Sequence, residues 1–421
     1  MRLSIRSAST LLSLLLFAGM ISRPATAGVP ITSRSLGMAG AYTAVATGVD
    51  AVWTNPANLA FPRSGNFELH LVGAGALVYN SSISVSFYNR YNGDFIDSSE
   101  KEDILSRFPD DGWRLGAAVN APLIGLRVKN FGFAVSAVVG FDQSLPKELI
   151  RRPLYGIDMK ETYPLGPFEG TAIGFARYTA AYGLPLRVKY FDFFSVGASL
   201  SYLQGLATAE ILEADGYFRN DYQAELEWQV RTRTGLKGGG FSFDLGVAAV
   251  KQNLRFGLAL TPLAGKISWK DKTEEQRFWI SGDSLNIVRL SEVDFDEAVE
   301  KSDTVVTISP FSTSLPTELV MGVSLDWKSY RFAADYHQGF RKRYGVSTQP
   351  ELAFGLEARH LPFLPLRCGF AIGGGKGFRP AVGFGLHVLG LQWDFAFSGV
   401  GSVVPSHMRG FAFATNLRVV R

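Results

Sequence analysis

Apolar and polar side chains alternate along several stretches of this chain, each about ten residues long. In 319–327 almost every second residue is large and apolar, and Asp326 lies on the opposite face. The same alternation occurs in 222–233, 330–340 and 391–397. A period of two is typical of a β-strand with one apolar and one polar face. The pattern therefore predicts an all-β protein.

The links between these stretches alternate in length. Short links occur at 129–130, 191–192, 251–253, 328–329, 361–365 and 389–390. Longer polar connections lie near 92–112, 142–168, 205–221, 264–316 and 341–349. Alternating short and long connections are typical of a transmembrane antiparallel β-barrel, whose short turns face the periplasm. The count predicts about fourteen strands, with twelve or sixteen as alternatives.

A count of about fourteen strands requires two longer stretches each to form a single strand. Residues 66–90 must form one long or kinked strand, and 222–250 one strand bent at the glycines 238–240. The acidic stretch that begins at Ser99 resembles a helix N-terminus, and Pro109 follows it. A short amphipathic helix is therefore predicted over 99–108, inside a loop.

A soluble β-sandwich would alternate in the same way, so composition has to decide between the two. The chain contains 45 glycines and is 13% aromatic. After residue 27, its apolar runs are shorter than the ~18 residues of a membrane helix. In lipid every backbone donor and acceptor must be paired, so a membrane β protein must close into a barrel. These features, with the N-terminus, favour the membrane barrel.

The N-terminus has the three parts of a secretory signal peptide. Arg2 and Arg6 precede the apolar stretch 11–21, and Ala25 and Ala27 form a small-x-small cleavage pattern. Residues 1–27 are therefore predicted to be removed by cleavage after Ala27, and the mature chain to reside in the outer membrane. Cleavage removes three arginines and no acid, which lowers the net charge from +4 to +1. Nucleic-acid binding has no electrostatic support at this charge.

A segment before the first strand departs from the alternation. Residues 28–64 are predicted to form a small plug, and residues 65–421 the transmembrane barrel. Glycine and alanine permit close backbone approach, and Asn55-Pro56 is a turn signal. The residues expected to carry the plug are Gly37, Gly40, Asp50, Trp53, Asn55 and Pro56.

The plug region also carries a family resemblance. The stretch 34–46 (RSLGMAGAYTAVA), with Asp50, Trp53 and NPANL at 55–59, resembles the plug motif of the long-chain fatty-acid transporter superfamily of outer-membrane barrels. That superfamily includes the shuttle barrel of type IX secretion. The stretch 79–112 is similar to an uncharacterised subfamily of it. The resemblance implies a channel or transporter for hydrophobic small molecules and leaves the cargo undefined.

Two other functions stay open. One is a structural or secretion-associated barrel without transport activity, and a more distant one is a barrel lipase. The sequence lacks an HExxH or GxSxG motif, Cys368 is the only cysteine, and Gly377 stands where a phosphate loop needs serine or threonine. We therefore expect no enzymatic activity, no metal and no cofactor. The expected partners are outer-membrane lipid, the barrel-insertion machinery and a hydrophobic ligand, without nucleic acid.

Charged residues on the polar strand faces are candidates for the lumen. They are Glu225, Glu227, Arg231, Arg233, Asp326, Asp335 and His337. Such residues could guide a polar solute, but the favoured interpretation is that they solvate and cross-link the barrel interior. The same alternation predicts which neighbours face lipid. Trp228, Leu325, Phe332 and Phe395 are expected to face lipid, and Glu227, Asp326, Arg331 and Asp394 the interior.

Overall fold

The computed structural model describes residues 31–62, 67–93, 95–156, 158–221, 223–285 and 299–421. The predicted signal peptide, residues 1–27, lies outside these ranges. Among the described residues, none of the helices has the length and apolar character needed to cross a bilayer.

The described part of the chain is dominated by antiparallel strands. They are β1 (Phe67–Asn80), β2 (Trp113–Val128), β3 (Phe131–Leu145), β4 (Glu161–Pro164), β5 (Glu169–Leu186), β6 (Phe193–Asn220), β7 (Ala224–Lys251), β8 (Leu254–Leu285), β9 (Glu300–Thr307), β10 (Phe311–Ser314), β11 (Glu318–Trp327), β12 (Tyr330–Gly339), β13 (Glu351–Ala358), β14 (Leu366–Gly373), β15 (Arg379–Val388), β16 (Leu391–Val400) and β17 (Gly410–Val420). The α-helices are α1 (Ser33–Gly37), α2 (Asp50–Thr54), α3 (Val85–Tyr91), α4 (Ser98–Ser106) and α5 (Glu148–Tyr155), and 3₁₀ turns span Pro56–Ala60 and Pro405–His407.

Fourteen of these strands form a closed barrel, as predicted. β1 pairs with β2 on one side and with β17 on the other, which closes the ring. β8 pairs directly with β11, and the short strands β4, β9 and β10 pair with outer parts of β6 and β8. Each barrel strand is thus hydrogen-bonded to two neighbours. The short links all lie at one end, called the inner end here, which faces the periplasm in this topology.

An apolar belt covers the outside of the barrel. Each of the fourteen strands contributes at least one large apolar side chain that is exposed on its outward face. One such residue per strand, from β1 to β17, is Val78, Val119, Phe133, Tyr182, Leu200, Phe243, Leu258, Leu325, Phe332, Phe354, Phe370, Phe384, Phe397 and Phe413. Water would penalise so much exposed apolar surface, so the belt marks the lipid-facing zone.

The belt gives a first testable prediction, at Val323. This side chain is 38% exposed and lies in the middle of β11, opposite Ala334 of β12. We expect Val323→Arg to lower the free energy of unfolding in vesicles by roughly 2–4 kcal/mol, since arginine is costly at the bilayer midplane. Phe340→Arg, beyond the outer end of the neighbouring strand β12, is the control and should cost about 0–1 kcal/mol. Equal effects in urea titrations would contradict the placement of the belt.

Three strands extend well beyond the barrel at its outer end. β6, β7 and β8 have 28, 28 and 32 residues, whereas about 9–11 residues span a bilayer. We call their outer parts, residues 206–236 and 266–285, the outer extension. The stretches 205–221 and 264–316 were predicted to be loops, and this is wrong for most of their described residues. Apolar side chains of the extension, such as Leu226 and Trp228, pack within it and not against lipid.

Two local predictions also need correction. Residues 66–90 are not one strand, because β1 ends at Asn80, whose side chain accepts hydrogen bonds from the Ser82 and Ile83 backbone N–H groups. Helix α3 follows it. The predicted helix at 99–108 exists as α4, but its N-cap is Asp97, which forms a capping box with Glu100.

The N-terminal segment, residues 31–61, lies inside the ring of strands. Nearly all its side chains are buried, and its atoms approach inward-facing residues of strands on every side of the barrel. These wall residues lie close to the short turns, so the segment occupies the inner half of the lumen.

Candidate functional site

A ring of glycines on the barrel wall receives the N-terminal segment. Ten strands each present one glycine whose hydrogen atom faces the segment backbone or a segment side chain. They are Gly125, Gly132, Gly183, Gly197, Gly246, Gly257, Gly322, Gly355, Gly369 and Gly383. Gly75 of β1, which faces Ile31, is an eleventh such glycine on an eleventh strand. A Cβ added at Gly383 would lie 3.1 Å from the Cα of Gly37, and the other ten would come at least as close to the segment. The wall therefore fits this segment by omitting side chains.

The plug residues predicted from the sequence all lie in this inner half. Gly37 is buried between β14, β15 and β16, and Gly40 has φ 96°, a left-handed conformation that suits glycine. Trp53 is 1% exposed and packs edge-on against His70 of β1, with ring centroids 5.6 Å apart. Pro56 begins a 3₁₀ turn that touches Gly197. The segment thus contacts opposite sides of the wall.

Asn55 fastens the segment to β7 and gives a second prediction. Its Nδ2 donates to the Val247 carbonyl at 3.0 Å, and its Oδ1 accepts from the Ala57 N–H at 3.1 Å. We expect Asn55→Ala to cost about 1–3 kcal/mol of local stability, because the Ala57 N–H loses its acceptor in a buried site. Hydrogen exchange at the Ala57 amide measures it. Thr47→Ala, elsewhere in the segment, is the control, and equal exchange in the two variants would contradict this role.

Asp50 links the segment to the first and last strands. Its carboxylate accepts from the Tyr42 hydroxyl at 3.0 Å and from Arg418 of β17 at 3.1 Å. Arg418 also lies 3.4 Å from Glu68 of β1, and Glu68 accepts the Val49 N–H. Burial would raise the pKa of Asp50, but the charges of Arg418 and Arg34 hold it below its usual value. Asp50 is therefore a buried carboxylate that is ionised at neutral pH.

A second group of ion pairs continues across the wall. Arg34 of the segment donates to Asp394 of β16 at 3.0 Å, and Arg367 donates to the same carboxylate at 2.8 Å. Arg367 also donates to Glu357 at 3.0 Å. Asp326 accepts from three arginines of the wall and its turns, Arg255, Arg331 and Arg359. The segment is held on this side by charges, and on the β2–β7 side by apolar packing.

Asp335 and His337 lie where the segment turns. Asp335 accepts the backbone N–H groups of Tyr42 and Thr43, at 3.1 and 2.8 Å. His337 lies above it, with Nε2 4.0 Å from Asp335 and Nδ1 3.4 Å from Glu318. Asp326 and these two residues face the interior, and Asp335 acts as a direct anchor for the segment.

A cavity of about 180 Å³ lies on the outer side of the segment. We call it the outer cavity. Five acidic or basic side chains line it, namely Glu318, His337, Glu351, Lys376 and Arg379. Lys376 comes from the β14–β15 loop and donates to the Gly345 carbonyl at 3.0 Å, and burial together with Arg379 lowers its pKa. Beside the cavity, an apolar cluster lies in the outer part of the barrel and consists of Val138, Ile173, Phe175, Leu203, Ile267, Trp269, Leu315 and Tyr344.

A second cavity, of about 330 Å³, lies on the inner side of the segment. We call it the inner cavity. Its charged and titratable lining consists of Arg34, Arg331, Arg359, Arg367, His387 and Glu357. Arg359 and the adjoining Leu361–Pro365 stretch belong to the short turn after β13, so this cavity lies at the periplasmic end of the barrel. The segment thus separates two polar cavities.

Four predicted lumen residues lie elsewhere. All four are on β7, namely Glu225, Glu227, Arg231 and Arg233. Along the strand they lie much farther from its inner end, Lys251, than the about 9–11 residues that span a bilayer. They belong to the outer extension. There Arg233 pairs with Glu210 at 2.8 Å. Assigning these four residues to the lumen is therefore corrected.

The outer extension also changes the position of Trp228. It was expected to face lipid, but it packs between Phe168 and Phe278 in the extension. Its neighbour Glu227 is exposed to water. By contrast, Leu325 and Phe332 face outward, and Arg331 and Asp394 are buried in the interior.

Several interior residues were missed, among them Arg34, Glu68, Arg367 and Arg418. Glu68, Arg367 and Arg418 lie on inward strand faces, so alternation could have marked them as inward, whereas Arg34 belongs to the N-terminal segment and has no such signal. The glycine ring also has a sequence signal. Gly125 and Gly132 flank one short turn, Gly246 and Gly257 another, and Gly355 and Gly369 a third.

Solved structures provide the decisive comparison for the fold. The crystal structure of a Pseudomonas aeruginosa FadL homologue superposes with a TM-score of 0.54 at 13% identity, covering 94% of this chain and 99% of that one. The Ralstonia pickettii toluene transporter TbuX gives 0.51 at 14% identity, with 93% and 98% covered. The P. putida toluene transporter TodX gives 0.51 at 13% identity, with 95% and 99% covered.

This chain has the fold of the FadL-type outer-membrane barrels. The predicted resemblance is thereby confirmed for the fold. A family model also matches residues 220–397, and its description is a family of unknown function (DUF5723). No curated protein matches the sequence.

Proposed function

We propose that this protein is an outer-membrane channel for small molecules, closed by its N-terminal segment. The observation that carries the proposal is the position of the segment across the inner lumen, with a cavity on each side. Passage requires the segment to move. Its hydrogen bonds to Val247 and Asp335 and its ion pairs with Asp394 and Arg418 are then the contacts that oppose opening.

Hydrophobic compounds are the proposed cargo class. Two structures with this fold are described as toluene transporters. Apolar side chains also line the outer cavity, among them Leu36, Leu77, Val320 and Val346, and they supply surface that such compounds could contact. The proposed location is the outer membrane, after removal of residues 1–27, with insertion by the barrel-insertion machinery.

A disulfide that fixes the segment tests the proposal. A Cβ at Gly37 would lie 3.6 Å from the Cβ of Ala396, within the range for a disulfide. We would introduce Gly37→Cys and Ala396→Cys with Cys368→Ser, so that one pair of thiols remains. Cells that express this variant should take up the hydrophobic dye N-phenylnaphthylamine slowly when oxidised and normally after reduction. Each single-cysteine variant is a control.

Uptake that ignores the oxidation state would contradict closure by the segment. If cells with the wild-type protein take up the dye no faster than cells without it, transport of hydrophobic compounds is contradicted. A polar solute of similar size, measured in parallel, separates a general pore from a selective one.

A second candidate is a structural or secretion-associated barrel. Two observations favour it. Each barrel strand is paired with both neighbours, which leaves a continuous wall, and β6, β7 and β8 raise a large charged extension above the membrane. This function predicts that truncation of the outer extension abolishes the structural or secretion role of the protein, while solute uptake is unchanged.

A further inference from the structure

The inner cavity has an excess of positive charge. Five arginines form the ion-pair group on this side, Arg34, Arg255, Arg331, Arg359 and Arg367. In the described residues, the carboxylates that they share are Asp326, Glu357 and Asp394. Four of the arginines and His387 line the cavity, but only one of the carboxylates, Glu357, does. The other two lie behind the guanidinium groups.

We propose that the inner cavity binds a small oxyanion, the phosphate or carboxylate group of a periplasmic solute. Guanidinium groups present a planar fork of N–H donors that matches such groups, and they stay charged at every physiological pH. The cavity volume of about 330 Å³ is at the lower end of ordinary small-molecule sites. This proposal is independent of transport, because the site lies on the periplasmic side of the closed segment.

Arg359 is the residue that the proposal singles out. Its Nη2 donates to Asp326 at 2.9 Å, while its Nε is buried and has no hydrogen-bond partner among the described residues. A Glu357 oxygen lies 3.9 Å from that Nε, beyond hydrogen-bonding distance. The Arg359 side chain is 35% exposed, more than that of the other four arginines, so it is the one that an oxyanion in the cavity reaches most easily.

Each carboxylate is shared by more than one arginine, which explains why the positive charge at the inner cavity is not already neutralised. Asp326 divides its two oxygens among three arginines, and Asp394 accepts from both Arg34 and Arg367. Because each acid already serves more than one cation, the five arginines keep a net positive charge beside the cavity. Binding would also strengthen the position of Arg34, which belongs to the segment.

Isothermal titration calorimetry of the purified full-length mature chain tests the proposal. The probes are inorganic phosphate and acetate, titrated at constant ionic strength against sodium chloride. We expect saturable binding of at least one probe. Tighter binding of phosphate indicates a phosphate-bearing solute, tighter binding of acetate a carboxylate-bearing one, and either result supports the site.

The variants separate the cavity from the ion pairs behind it. Arg359→Gln should weaken binding by about tenfold or more, because a charged donor pair is lost. Arg359→Lys should weaken it less. Arg255→Gln is the matched control, since Arg255 pairs with the same Asp326 but does not line the cavity. It should leave the affinity within about twofold.

Heat-modifiable migration on gels shows that each variant is folded. The proposal is overturned if neither probe binds more than chloride does. It is also overturned if folded Arg255→Gln and Arg359→Gln proteins lose affinity equally, because the effect would then pass through Asp326. An uptake failure in the disulfide experiment leaves this binding measurement unchanged, so the two proposals fail separately.

Discussion

Deletion of residues 31–58 should open the barrel to ions. A barrel of about eight strands is filled by its own side chains, whereas one of 16–18 leaves an aqueous channel. With fourteen strands, this barrel needs the N-terminal segment to occupy its inner half. We expect the deletion to raise single-channel conductance in planar bilayers by about tenfold or more, since the vacated lumen is lined by the charged residues Asp335, Asp394 and Arg418.

The barrel itself should survive this deletion. Its fourteen strands pair with one another, and its apolar belt is independent of the segment. Heat-modifiable migration of the deleted protein is therefore the control for insertion. A matched variant is Asn55→Ala, which weakens one anchor but keeps the segment, and which should raise conductance far less. Unchanged conductance in an inserted deletion protein would show that the segment is not the barrier.

The strands of the membrane zone could be predicted because lipid imposes a simple rule on them. Every second residue must be apolar, as in β11 and β12, and the turns between strands are short at the inner end. The outer extension is not in lipid, but its strands alternate in the same way. In Glu225–Arg233 the apolar side chains of Leu226 and Trp228 pack inside the extension, so alternation alone wrongly assigned the charged face of this stretch to the lumen.

The sequence could predict that the interior anchors face inward, but not which residues they pair with. Alternation puts Asp394 and Arg331 inside, but Arg34 and Asp394 are 360 positions apart, and Asp50 and Arg418 are 368 apart. Their pairing depends on barrel closure, which sequence period does not encode. The glycine ring lies between these cases. A glycine a few residues before or after each short turn is visible in the sequence. The sequence does not show, however, that the N-terminal segment packs against these glycines inside the barrel.

Arg418 is the site of the second large prediction, because its whole side chain is buried among carboxylates. Its side chain is 0% exposed, and it contacts Asp50 at 3.1 Å, Glu68 at 3.4 Å and Asp394 at 3.8 Å. Removing one partner from a buried ion pair leaves an uncompensated charge, which costs roughly 3–5 kcal/mol. We expect Arg418→Met to lower the free energy of unfolding by this amount in urea titrations of the protein in vesicles.

The pH dependence of this loss has a definite sign. Burial raises the pKa of Asp50 in the folded protein, but the charges of Arg418 and Arg34 outweigh this effect and hold the pKa below its usual value. A carboxylate of this kind stabilises the fold above its unfolded pKa, and the contribution fades as the pH falls through the folded value. The unfolded chains have the same Asp50 pKa, so the difference between wild type and Arg418→Met should shrink as the pH falls from the Asp50 pKa of the variant, where burial is no longer opposed by Arg418, toward the lower pKa of wild type.

Two further variants distinguish buried charge from lost packing. Arg421→Met, at an exposed position three residues along the chain, should change stability by no more than about 0.5 kcal/mol. The triple variant Arg418→Met, Asp50→Asn, Glu68→Gln removes the uncompensated charges and should recover at least half of the loss, since neutral amides are cheaper to bury than unpaired carboxylates. If the triple variant is as unstable as Arg418→Met alone, the loss comes from the cavity left by the guanidinium group. The ion pairs between the segment and the last strand would then contribute little to holding the segment in the lumen.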